Sequence, residues 1–237
     1  MRYAVALLLG LVSAPHAWAQ TPSATPSQQL ENARAVKVAE AIALMKRNNP
    51  AGAIAMLDPV LAEYDALYPA SGPRVVCATD MTSTLSGLLS AAVDKKDAVA
   101  LNSTWCYALW ARGFALVELG RIEEALPPLE RAAAMMPSRA QFHSELGYVH
   151  QALKHWDLSL AAYARAVAAA EPMTDEKDRK FELRRGWFGM AYAQIELGKL
   201  DEAEDLLNKA LKVAPGDTKI LNELEYIRDA RRKAKAS

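Results

Sequence analysis

Only two cysteines occur in the 237 residues, with no C-x-x-C pair and no Cys/His cluster, so neither dithiol redox chemistry nor a structural zinc site has a basis here. Net charge is missing too. The 28 Lys and Arg balance 28 Asp and Glu, which leaves no basic surface of the kind that draws nucleic acid or acidic membrane. After the first dozen residues no apolar run approaches the roughly 20 residues that a membrane-spanning helix needs, so no membrane insertion is expected. β-Branched residues are sparse, with 13 Val, 6 Ile and 8 Thr against 46 Ala and 30 Leu, a balance that favours helix over strand throughout. An all-α architecture is the expectation. At 51% hydrophobic and 24% charged, the chain can bury a sizeable core.

What is present begins with an export signature. Arg2 precedes the apolar run Ala4 to Val12, and small residues then place Ala17-Trp18-Ala19 ahead of Gln20. This is the pattern of a signal peptide over residues 1–19, cleaved after Ala19. No Cys follows the small-residue site, so the expected product is a soluble, exported bacterial protein of the periplasm. Residues 20–29 are rich in Pro, Ser and Thr and read as a flexible linker. Cys77 and Cys106 would meet an oxidising compartment, where they form a candidate disulfide closing a loop of 106 − 77 = 29 residues. Such a loop is worth about 3 to 4 kcal/mol in the chain-entropy model. The alternative is two buried thiols packed as small apolar groups, and spacing alone does not choose between them.

A period of 34 organises the second half. Laying the segment from Cys106 on the segment from Ala140 aligns Gly113 with Gly147, Phe114 with Tyr148, Leu129 with Tyr163 and Ala132 with Ala166. A third copy from Arg184 aligns Ala191, Gly198, Ala203, Leu207, Ala210 and Pro215 with Gly113, Gly120, Ala125, Leu129, Ala132 and Pro137. Its offset is 191 − 113 = 78, two periods plus ten residues. Small residues at Gly113, Gly147 and Ala191, and at Ala125, Ser159 and Ala203, let two antiparallel helices touch. Leu129, Tyr163 and Leu207 then fill the wedge against the next pair, while Gly120, Gly198, Pro137 and Pro215 end helices. On these residues the three segments, 106–139, 140–172 and 184–217, resemble tetratricopeptide repeats. The resemblance implies a right-handed superhelical solenoid of antiparallel helix pairs. The middle copy departs from it with Lys154 in place of Gly and Ser159 in place of Ala.

The remaining segments are read around those repeats. Residues 30–69 form an apolar-periodic hairpin split by Asn48-Asn49-Pro50, with Ala41, Ala53 and Leu57 at the small, small and large positions of a degenerate repeat. Residues 70–105 are expected to be an irregular helical connector with a helix over 82–93; Ala98 to Ser103 stands where the tail of a worn-down repeat would, but no matching turn precedes it. The ten-residue excess falls in a charged insertion, 173–183; Glu171 to Arg185 carries five acids and five bases, which fits a lengthened solvated helix. Residues 218–237 read as a capping helix with Ile220, Leu221, Leu224 and Ile227 on its apolar side and a basic end from Arg228 to Lys235 that complements the helix dipole.

Nothing in the chain assembles a catalytic constellation. His143 and His150 are seven apart on one helix with no third ligand at a matching offset, and they stand at packing positions. No phosphate-cradling glycine loop or serine elbow occurs, so no enzyme activity, cofactor or metal is expected. Carrying the family's groove positions over copy by copy gives Tyr107, Trp110, Phe114 and Val117, then Gln141, Ser144, Tyr148 and Gln151, then Arg185, Phe188, Tyr192 and Ile195. The resemblance implies that Tyr107, Trp110, Phe114, Tyr148, Gln151, Phe188 and Tyr192 line a concave aromatic groove that grips a segment of another protein. The Lys and Asn with which some relatives clamp a carboxylate tail are replaced here by Trp110 and Phe114. The functional expectation is a non-catalytic adaptor or scaffold. The alternatives are a periplasmic chaperone or assembly factor holding unfolded clients, or an accessory subunit of an enzyme complex.

Overall fold

The computed structural model describes residues 25–236; the segment read as a signal peptide lies outside these. The first helix, α1, runs Pro26–Lys46, so residues 26–29 are helical rather than linker. Composition pointed to a tether, but Thr25-Pro26-Ser27-Gln28 is also a capping box with proline at the first turn: the Thr25 side chain accepts from the Gln28 N–H, and Gln28 reaches back to the Thr25 N–H. α2, Pro50–Leu67, follows a turn in which Asn48 takes a left-handed φ of 58° and Asn49 caps the new helix.

Seven further helices continue the pattern of antiparallel pairs. They are α4 (Thr104–Glu118), α5 (Ile122–Met135), α6 (Ala140–Ala152), α7 (Trp156–Ala170), α8 (Glu176–Glu196), α9 (Leu200–Val213) and α10 (Thr218–Ala236). Each packs on the next, and α1, α4, α6 and α8 also touch in series, so the N-terminal hairpin stacks as a further repeat. Trp105 fixes that junction: it is fully buried, stacks on Tyr64 of α2 at 5.1 Å, and carries the Arg131 guanidinium 4.4 Å from its ring. Gly120 and Gly198 take left-handed φ at the inter-helix turns, and Lys154 adopts the same conformation in the middle repeat, a position that glycine would occupy with less strain.

Between α2 and α4 the expected irregular connector is a β-α-β unit. β1 (Arg74–Cys77) and β2 (Ala98–Leu101) pair in parallel, Val75 with Val99 and Cys77 with Leu101, and α3 (Met81–Val93) crosses between them. The segment from Ala98 is therefore a strand, not the tail of a repeat; its Ala and Leu favour helix, but pairing with β1 overrides that weak preference. Cys77 and Cys106 are bonded to each other, with Cα atoms 6.3 Å apart, and tie β1 to α4.

At the other end α10 buries Ile220 and Ile227 against the last repeat. Arg231 bridges to Glu204 and Asp201 of α9, and Arg232 pairs with Asp229, so these two basic groups serve side-chain ion pairs rather than the helix dipole.

Candidate functional site

The first helices of the repeats, α4, α6 and α8, carry the residues assigned to a groove, and the structure sorts those residues into three groups. The first forms a closed aromatic cluster. Trp110 is only 7% exposed; it stacks on Phe114 at 5.7 Å and on Phe142 at 6.0 Å, while Tyr107 meets both Trp110 and Phe142 edge-on. Trp110 is thus core, and the open aromatic stripe expected in the first repeat is not there. The rings of successive helices satisfy one another because α4 and α6 approach closely enough for Phe142 to enter between them.

The second group is engaged in joining repeats. Gln151 accepts from the Tyr163 hydroxyl at 3.3 Å and donates to the Gly189 carbonyl at 2.9 Å, which bridges α6, α7 and α8. Phe188 is half-buried beneath the Arg184 guanidinium, and Arg184 in turn binds Asp217 at 2.7 Å. Arg185 pairs with Glu145 at 2.7 Å, and the Glu145 side chain is 6% exposed. Glu182 completes this polar set between α6 and α8; burial raises its carboxyl above the usual carboxylate range, with Arg185 and Arg139 opposing that shift. The charged insertion is accordingly a lengthened helix in which Glu182 and Leu183 turn inward rather than a wholly solvated face.

Third are the rings left open. Tyr148 is 45% exposed and Tyr192 37% exposed, and they hold the same place in successive repeats, one residue after the small residues Gly147 and Ala191. Phe114, in the equivalent place of α4, is half-buried. Tyr192 leans on Trp156, ring centres 6.3 Å apart, and burial together with Glu196 and Glu223 holds its hydroxyl above the usual phenol range. Sequence reasoning missed Glu145, Glu182 and Trp156. The signal for Glu145 was legible: it stands where the other repeats have Ala111 and Gly189.

Both histidines of α6 are buried, with the His143 Nε2 2.9 Å from the Pro137 carbonyl. Among the described residues no group of three or more His, Cys, Asp or Glu is placed to hold a metal ion, and no helix is long and apolar enough to cross a membrane. Burial lowers the pKa of His143 and of His150, and the neighbouring His155 adds to the effect on His150. Unfolded, each takes a proton as pH falls through its ordinary value near 6.5, whereas the folded chain resists protonation to lower pH. The stability due to neutral, buried histidine is therefore complete above that value and lost below it. The denaturant midpoint is expected to fall between about pH 7.5 and 5.5. Glu182 works in the opposite sense, because its raised pKa makes protonation stabilising. A His150→Gln variant should show a shallower decline, and an unchanged slope would rule His150 out as a source.

Comparison with known proteins agrees with this geometry. The tetratricopeptide-repeat profile matches residues 111–173 and again residues 184–228. The chain is similar to the solved structure of MamA residues 41 to the end from Desulfovibrio magneticus RS-1, with a TM-score of 0.56 at 17% identity over 86% of this chain and 88% of that one. It is also similar to MamA of MSR-1, with a TM-score of 0.54 at 19% identity over 86% and 89% of the two chains. At these identities the likeness is one of fold. No curated protein matches the chain. The helix pairs, their small and large contact positions and both matched segments agree that residues 111–173 and 184–228 are tetratricopeptide repeats.

Proposed function

We propose that the chain is an exported, non-catalytic adaptor that holds a segment of another protein along the face formed by α4, α6 and α8. One observation carries this reading: Tyr148 and Tyr192, in the same register of adjacent first helices, remain open while the residues around them are engaged in packing. Two amphipathic rings one repeat apart anchor an apolar side chain each and turn a hydroxyl toward a peptide backbone. The Glu145–Arg185 pair stands about one turn before Tyr148 on α6 and two turns before Tyr192 on α8, a charge pair close to the two rings along the helices. The N-terminal signature supports export, and a sequence without a serine elbow or a phosphate-cradling glycine loop supports a binding role.

The test is capture of a partner from periplasmic extract by the wild-type protein and by a Tyr148→Ala, Tyr192→Ala variant. Both side chains are exposed enough that the variant should melt within a few degrees of wild type. Loss of one captured protein, with a dissociation constant raised about 30-fold or more, is the expected result. Equal capture by both proteins would remove the two tyrosines from the binding surface.

A further inference from the structure

α10 ends the solenoid, yet it repeats the pattern of a first helix. Tyr226 stands 226 − 192 = 34 residues after Tyr192, the same period that carries Phe114 to Tyr148. Its neighbours keep that register: Ile220 and Ile227 are buried one period after Gly186 and Ala193, which are buried in α8. Arg184 binds Asp217, and Ile195 packs with Ile220 and Ile227 in one cluster, so α10 lies against α8 where a next first helix would lie. Tyr226 is thus turned to the same face as Tyr148 and Tyr192, and it is 55% exposed. The row of open rings continues onto the capping helix.

Two carboxylates flank this end of the row. Glu196 lies one turn after Tyr192 on α8 and accepts from its hydroxyl. Glu223 has on α10 the place that Gly189 has on α8, and Gly189 meets the preceding repeat through Gln151 and Tyr163. Glu223 accordingly faces back toward α8, where its charge acts on Tyr192. Burial and the Glu196 charge hold the Glu223 carboxyl above the usual carboxylate range. Among the described residues neither carboxylate forms an ion pair, although Lys219 stands one turn before Glu223. Two acids beside an open ring suit a side chain that is apolar along its length and cationic at its end.

We propose that the segment held along this face carries an arginine or lysine whose stem lies on the Tyr192 ring and whose charged head binds Glu196 and Glu223, with Tyr226 as the next contact. The proposal rests on the adaptor reading above and adds the chemistry of the partner. Spacing follows from the helices. Neighbouring helices stand about 8 to 10 Å apart and an extended chain advances about 3.3 Å per residue, so successive rings meet about every third residue. The base then sits midway between apolar residues at Tyr148 and Tyr226. An acidic residue there is refused, because it would bring a third carboxylate to two that already repel.

The test selects a phage-displayed library of random twelve-residue peptides on the purified full chain. Wild type, a Glu196→Gln, Glu223→Gln variant and the Tyr148→Ala, Tyr192→Ala variant are run in parallel. Peptides enriched by wild type are expected to carry Arg or Lys with an apolar residue about three places to each side. The Gln variant should keep the apolar pair and lose the base. The most enriched peptide, remade with a fluorescent label, should bind the Gln variant and a Tyr226→Ala variant each about tenfold or more weakly than wild type. Glu196 and Tyr226 are exposed and Glu223 is half-buried, so these variants should keep the wild-type circular dichroism and melting temperature. Enriched peptides without the base, a base that the Gln variant still selects, or full affinity for Tyr226→Ala overturns this proposal and leaves the adaptor reading standing. Wild type that enriches nothing beyond the Tyr148→Ala, Tyr192→Ala variant removes the groove itself, and this proposal with it.

Discussion

Replacing Tyr163 with alanine is expected to destabilise the fold by about 3 to 5 kcal/mol, read as a lowered denaturant midpoint at unchanged slope. The ring is nearly fully buried on α7 and is clasped from both sides by helices that carry no side chain there. A Cβ built on Gly147 of α6 would lie 2.7 Å from the ring, and one built on Gly189 of α8 would overlap it more closely still. Three helices from two repeats therefore close on one side chain. The ring's hydroxyl also reaches Gln151, which binds the Gly189 backbone, so truncation leaves a cavity and a loosened bridge together. Tyr163→Phe separates the two contributions: it keeps the ring and should lose only about 0.5 to 1.5 kcal/mol.

The reciprocal change tests the same contact from the other side. Alanine in place of glycine within a helix ordinarily gains up to about 1 kcal/mol. At Gly189 the added methyl meets the Tyr163 ring, and overpacking of about 1 to 3 kcal/mol is expected to outweigh that gain. Combined with Tyr163→Leu, the substitution should lose much of its effect, because the two residues share one contact and their energies do not add. A stabilised Gly189→Ala protein would mean that α7 and α8 are not in the register described.

The parts of this fold that were legible in the sequence are those fixed by sterics at a repeated offset. Gly113, Gly147 and Ala191 recur because a helix pair cannot close over a larger residue; Leu129, Tyr163 and Leu207 recur because the wedge between pairs must be filled. These constraints are local and periodic, so counting finds them. The β-α-β unit obeys no such count. Ala98 to Leu101 has the composition of a helix and becomes a strand only because Arg74 to Cys77 lies beside it, a pairing set by tertiary structure. Groove residues were legible as positions but not as exposures. Trp110 and Tyr148 are equally apolar by type, yet one is closed off by Phe142 from the neighbouring helix and the other is open. Only the spacing of α4 against α6 decides that, and no residue in either helix encodes it alone.

Loss of the Cys77–Cys106 bond is expected to lower stability by about 3 to 4 kcal/mol, from the entropy returned to an unfolded chain no longer closed over 29 residues. The measurement is the denaturant midpoint with and without reductant, alongside a Cys77→Ala, Cys106→Ala variant that should match the reduced protein. Where the loss appears is as informative as its size. β1 is buried against α4 and α5 through Val75 and Cys77, whereas α3, whose Gly87 rests on Val76, is held mainly by the two strands beneath it. Beyond the peptide chain at its two ends, the bond is the covalent cross-link between that small unit and the solenoid. In a stacked-repeat protein each unit contacts only its neighbours, so disturbance at one unit decays along the stack. Amide exchange should therefore quicken through residues 74–101 and at the start of α4, while α8 and α9, several units away, keep their protection. Uniform quickening along the chain would show that the repeats unfold as one cooperative body. If reductant left both the midpoint and the exchange of residues 74–101 unchanged, burial of Val75, Val76 and Trp105 would be holding the insertion without the bond.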